Sequence, residues 1–307
     1  LPRESRAALA LRMICGLTTA EIARAFLLPE PTVAQRITRA KRTLSESGLA
    51  YETPRGPELS QRLSSVLEVV YLIFNEGYTA ARGDELLRHE LCAEALRMAR
   101  ALTAVAPHEA EAHGLLALME LNASRAAART DVAGDPILLA DQDRTLWDQL
   151  QIRRGLQALA RAEELGGMGG FYVLQAAIIA CHARAASFAQ TNWPHIASLY
   201  GHLMTLSPSP VIELNRAVAV GMAEGPQAAL AIVDRLTQEP ALQRYHLLFS
   251  VRGDFLQRLG RMAEARAAFQ TAARLTANRR EQDLLTRRAS ACITPTKDKQ
   301  AEGGKAW

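Results

Sequence analysis

The sequence predicts an all-α protein: an N-terminal helix-turn-helix domain followed by an α-α superhelix of tetratricopeptide-like helix pairs. Two observations lead there. Apolar residues make up 49% of the chain but aromatics only 5%, and Ala and Leu dominate, which favours helices over sheets. Apolar positions also recur every three to four residues along most of the chain, with breaks at Gly and Pro that leave helices of similar length. The 307 residues suffice for two domains or one extended helical array.

Residues 3–14 read as a first helix with Ala7, Leu11 and Ile14 inward and Gly16 as its stop. Thr18 then occupies an N-cap position, and Glu21 three residues on completes a capping box. Ile22, Ala23 and Phe26 give this second helix an apolar face, and Leu28-Pro29 breaks it. From Pro31 a third helix places Val33, Ile37, Ala40 and Leu44 on one face. Its opposite face carries Gln35, Arg36, Thr38, Arg39, Lys41 and Arg42. A helix that packs by one stripe and offers Gln and Arg on the other suits the DNA major groove. Residues 45–60, SESGLAYETPRGPELS, gather Ser, Gly, Pro and Thr without an apolar period. The expected organisation is therefore a DNA-binding domain over 1–47, a linker over 48–60, a helical domain over 61–291 and a disordered tail over 292–307.

Within the helical domain, helices are expected over 61–75, 84–105, 108–129, 144–165, 171–188, 193–206, 210–223, 226–237, 241–259 and 262–276. An acidic loop at 130–143 is expected to end with Asp141 or Asp143 capping the helix after it. Gly253, Gly260, Ala265, Phe269 and Ala272 follow tetratricopeptide spacing. The small residues let two antiparallel helices approach, and the Phe fills the gap to the neighbouring pair.

The +4 net charge is unevenly placed. Residues 1–50 carry Arg3, Arg6, Arg12, Arg24, Arg36, Arg39, Lys41 and Arg42 against Glu4, Glu21, Glu30 and Glu46, a local balance equal to that of the whole chain. A polyanion attracts such a patch. No apolar run is long enough to cross a membrane and no signal peptide is evident. Cys15, Cys92, Cys181 and Cys292 are far apart, without CxxC spacing, as expected of free thiols in the cytoplasm.

No catalytic centre, metal site or cofactor is expected. The seven histidines form no ligand spacing; His195 and His202 sit two turns apart. Asp131, Asp135, Asp141 and Asp143 crowd one loop without matching an EF-hand, and a solvated loop or cap is favoured over a cation site. The Gly-rich run at 166–170 has no Lys-Ser/Thr after it and no strand before it, unlike a phosphate loop. Asn75, Glu76 and Tyr78 follow the apolar VVYLIF. Two readings stand there: a helix end with Gly77 left-handed, or a contact with the N-terminal domain or a partner protein, since polar groups beside buried surface need partners.

The stretches LTTAEIARAF and TVAQRITRAKRTL resemble the fourth conserved region of bacterial RNA polymerase sigma factors of the extracytoplasmic-function class. YLIFNEGYTA, ELCAEALRMAR, LLALMEL, LADQDRTLWD and SPSPVIELNRAVAV are similar to the helical C-terminal extension of one group of these factors. Such a factor begins with a further helical domain that melts promoter DNA. The chain opens at Leu1-Pro2 without that domain, so a fragment is expected.

The resemblance implies that the helix from Pro31 to Leu44 enters the major groove at the promoter −35 element. Thr32, Gln35 and Arg36 would meet base edges, and Ala34 a thymine methyl. Arg39, Lys41 and Arg42 would hold phosphates, with Arg24, Thr18 and Thr19 adding a phosphate contact at the preceding helix. The implied partners are promoter DNA, the RNA polymerase core, and a protein or peptide in the groove of the helical array. The competing reading is a helical-repeat interaction scaffold that binds no DNA.

Overall fold

The computed structural model describes residues 2–13, 18–25, 28–48, 57–78 and 87–292. They are helical apart from loops, 3-10 turns and one isolated bridge between Thr130 and Pro136. The chain divides into two compact units: Leu1–Pro208 with Ala277–Arg280, and Ser209–Thr276 with Glu281–Trp307.

The first unit begins with α1 (Arg3–Met13), α2 (Thr19–Ala25) and α3 (Glu30–Glu46), which pack on one another. The capping box at α2 is made on both sides: Thr18 N–H donates to Glu21 Oε2 at 2.6 Å and Glu21 N–H to Thr18 Oγ1 at 3.2 Å. Pro29 opens α3 in extended conformation, with Pro31 in the first turn, where its missing N–H costs nothing. Ala8, Leu11, Ile22, Ala23, Val33 and Ile37 are buried in a shared core. Leu44 departs from the expected apolar stripe: it is 54% exposed, because α3 extends past the helices that cover its earlier turns. Ile14, Cys15, Gly16 and Phe26 lie outside the described residues.

α4 (Pro57–Tyr78) starts inside the stretch read as linker. α1 and α2 pack on it, and Leu63, Leu67, Val70 and Phe74 continue the same core. α4 pairs with α5 (His89–Val105). Gly77 is not a left-handed helix end; it lies within α4. A Cβ there would come 2.8 Å from the Cys92 backbone nitrogen and 2.9 Å from Leu91 Cβ, so glycine is what lets α4 and α5 touch. α6 (Ala110–Ala123) is apolar on nearly every side because α5, α7 (Gln149–Glu164) and α8 (Phe171–Arg184) surround it. α9 (Trp193–Leu206) closes this unit against α8.

The connections correct several expected boundaries. The helix expected over 108–129 ends at Ala123, and Ala126–Ala128 form a 3-10 turn. Asp143 caps only the 3-10 turn Arg144–Leu146, donated to by Thr145 N–H. The cap of α7 is Asp148, which accepts from Leu150 and Gln151 N–H, while Asp141 caps nothing. Gly166, at φ 79°, ends α7 in the left-handed region. The N-terminus of α8 is filled by the Glu111 carboxylate, which accepts from Tyr172 N–H at 3.0 Å. Burial pushes that carboxyl above its ordinary range despite the backbone hydrogen bonds from Tyr172, Val173 and Phe171.

The second unit holds α10 (Pro210–Ala223), α11 (Pro226–Leu236), α12 (His246–Arg258), α13 (Met262–Leu275) and, from Glu281 on, α14 (Arg279–Ala291), the last unexpected from the sequence. α12 and α13 form the tightest pair. Ala265, Phe269 and Ala272 are fully buried, and a Cβ on Gly253 would fall 2.7 Å from the Phe269 ring. Gly260 turns the chain between them at φ 74°.

Candidate nucleic-acid interface

α3 sorts its residues sharply. Val33, Ile37 and Ala40 are buried, whereas Ala34, Gln35, Thr38, Arg39, Lys41 and Arg42 are exposed and Thr32 and Arg36 half-buried. Burial by one stripe anchors the helix; the other face, carrying Gln35, Arg39, Lys41 and Arg42, stays open to solvent. Thr38 spends its hydroxyl on the Ala34 carbonyl at 2.9 Å. Arg42 pairs with Glu46 at 2.9 Å, both largely exposed, so solvent screens the pair and leaves the guanidinium available.

The N-terminus of α2 is a different matter. Thr18 was a candidate phosphate ligand with Thr19, but both its N–H and its hydroxyl already donate to Glu21. A carboxylate seated on those donors repels a phosphate. Burial raises the Glu21 carboxyl, but the hydrogen bonds from Thr18 and the Arg88 charge outweigh it and hold it below its ordinary value. Thr19 is half-buried in the first turn, and the Arg24 side chain lies outside the described residues.

Asn75, Glu76 and Tyr78 do not act as one group. Glu76 is buried and lies 3.9 Å from Arg88, which reaches Glu21 at 2.5 Å; this links α4 to the helix-turn-helix. Asn75 is exposed. Tyr78 turns the other way, into the array: its hydroxyl accepts from Arg125 at 3.1 Å, its carbonyl accepts from Arg129, and its ring stacks on Phe74. Arg88 escaped the sequence reading because a lone arginine ahead of a helix carries no periodic or motif signal.

A groove of about 600 Å³ runs between α5, α6 and α7, lined by Arg100, His113, Glu120, Arg154 and Arg161 among others. Glu120 is buried at its floor; one carboxylate oxygen takes two hydrogen bonds from Arg100, at 2.9 and 2.6 Å, and the other has no partner among the described residues. In the acidic loop, Asp131 accepts from Ala133 and Asp135 N–H, and Asp135 pairs with Arg280 at 3.0 Å.

Residues 1–44 match the family described as sigma-70, region 4, and the front domain is a sigma-factor-like helix-turn-helix domain. Residues 62–163 match a family of unknown function, DUF6596. An uncharacterized protein of Rhizobium meliloti (strain 1021) is 46% identical over 281 residues, covering 92% of this chain; the chain spans 66% of that relative's length. No solved structure matches. Among the described residues, no helix is long and apolar enough to cross a membrane.

Proposed function

We propose that this chain is the −35-reading part, with its helical extension, of an extracytoplasmic-function sigma factor. One observation carries the reading: in a segment similar to sigma-70 region 4, α3 buries Val33, Ile37 and Ala40 and turns Gln35, Arg39 and Lys41 outward. Thr32, Ala34, Gln35 and Arg36 would read base edges, Gln pairing with adenine and Arg with guanine. Arg39, Lys41 and Arg42 would grip phosphates and set register. The test is a mobility-shift titration of the complete factor on promoter DNA at two salt concentrations. Salt-dependent, sequence-selective binding is expected, and binding independent of both salt and sequence would end the proposal.

The tetratricopeptide-like array supplies the partner surface in this proposal. The groove over Arg100 and Glu120 supports it, because a buried carboxylate oxygen without a partner favours a guest that donates a hydrogen bond. That guest would be a protein or peptide segment, from the polymerase core or from the factor itself. A pull-down with core polymerase, using the complete factor with and without residues 61–291, tests it: reduced capture without the array is expected. A scaffold that binds no DNA is the second reading; the same groove favours it, and it would prevail if the titration failed.

A further inference from the structure

Most of the buried side-chain atoms that have no hydrogen-bond partner among the described residues fall in one corner of the first unit. They are Arg125 Nε, Arg144 Nη2, Trp147 Nε1, His182 Nδ1, Thr191 Oγ1 and Trp193 Nε1. Short contacts tie these residues together. The Trp147 ring lies 5.7 Å from the Arg125 guanidinium carbon and 4.5 Å from that of Arg144. Arg144 Nη1 donates to the carbonyls of His182 and Ala185, at 2.6 and 2.9 Å, at the C-terminal end of α8. The His182 ring meets Trp193 edge-on at 5.1 Å.

Four of the six atoms, Arg125 Nε, Arg144 Nη2, Trp147 Nε1 and Trp193 Nε1, can only donate. Guanidinium and indole nitrogens donate and never accept. Two guanidiniums share the corner, and the nearest acidic side chains in sequence are committed elsewhere: Asp143 to Thr145, Asp148 to the first turn of α7. Burial, and then the Arg125 charge, hold the Arg144 guanidinium below its usual basicity. Burial, with both arginines adding to it, drops the His182 imidazole to about 4, so it adds no third charge at neutral pH. A buried donor left unpaired destabilises the fold, and an acceptor with several lone pairs would satisfy several of these donors at once.

We propose that this corner binds a small oxyanion, a carboxylate or a phosphate, held by Arg125, Arg144, Thr191 and the two indole N–H groups. The atoms are buried, so the ligand is a free small molecule and not a macromolecule. LADQDRTLWD, which supplies Arg144 and Trp147, then has a ligand-binding role that the DNA-reading proposal leaves unassigned.

The site carries its own reporters, since the chain's three tryptophans are Trp147, Trp193 and Trp307. A Trp307→Phe protein, complete otherwise, is titrated with sodium phosphate and separately with sodium acetate, against sodium chloride at matched ionic strength. The expected result is a saturable change in tryptophan emission and a rise in Tm with one of the two oxyanions, the stronger arm identifying the ligand class. Arg144→Gln should weaken the response at least tenfold. Should that variant fail to fold, Thr191→Val and Arg144→Lys, which keep the packing volume and the charge respectively, should each weaken it. A response no greater than that of chloride, or one unchanged in the folded variants, overturns the proposal.

Discussion

Arg88, one residue ahead of α5, reaches Glu21 at the first turn of α2 at 2.5 Å, and the same nitrogen, Nη1, lies 3.9 Å from the buried Glu76 of α4. One guanidinium thereby bridges the helix-turn-helix and the helix it packs on. Arg88 is 39% exposed and Glu21 18%, so solvent screens part of the attraction.

Replacing Arg88 with Ala should lower stability at pH 7 by about 0.5–1 kcal/mol, read by thermal unfolding. The sign with pH follows from Glu21. Its folded carboxyl lies below the ordinary 4.5, so the stabilisation is complete above that value and fades as pH falls through the lower folded value. Wild type and Arg88→Ala should therefore converge in strong acid, and also in high salt. A gap that widens in acid would contradict the pairing.

On DNA, Arg39→Ala should weaken binding to every sequence alike and reduce the salt slope by about one ion. Gln35→Ala should instead flatten preference at one base pair, by about 1–3 kcal/mol. Competition titrations on site variants separate the two behaviours. Thr18→Ala should cost about 1 kcal/mol of stability through the lost cap and leave the salt slope untouched, because Glu21 already holds its donors.

In the second unit, Gly253→Ala pushes a methyl against the buried Phe269 ring. Overpacking of this kind costs about 1–3 kcal/mol, and Phe269→Ala about 3–5 kcal/mol through the cavity it leaves. Urea unfolding followed by circular dichroism measures both. If Gly253→Ala were neutral, α12 and α13 would be farther apart than described.

His182 gives a second pH signature. Burial and the charges of Arg125 and Arg144 depress its folded value to about 4 from 6.5. The neutral ring is thus accommodated fully above pH 6.5, and stability is lost as pH falls from there toward 4, by up to about 3 kcal/mol. His182→Phe should remove that slope between pH 6.5 and 4, with differential scanning calorimetry as the readout.

The sequence displayed what is periodic and local. The Thr18–Glu21 box, the buried Val33–Ile37–Ala40 stripe and the bounds of α9 and α10 all rest on spacing within one helix. Contacts made across long separations were hidden. Glu111 caps α8 from α6, Arg88 bridges to Glu21, and Arg144 caps the end of α8, none with a local signature. Gly77 misled because its reason is a neighbour, Cys92, and not its own backbone angle. Leu44 misled because the stripe continues beyond the helices that could cover it.

The apolar interior that runs unbroken from Leu11 and Ile22 into Leu67 and Phe74 has a mechanical corollary. A duplex gripped by α3 would be felt at α4 as torque, because α1 and α2 pack on both. The array up to α9 would then behave as a lever arm with a set bearing on the promoter, and whatever seizes that arm would steer the grip.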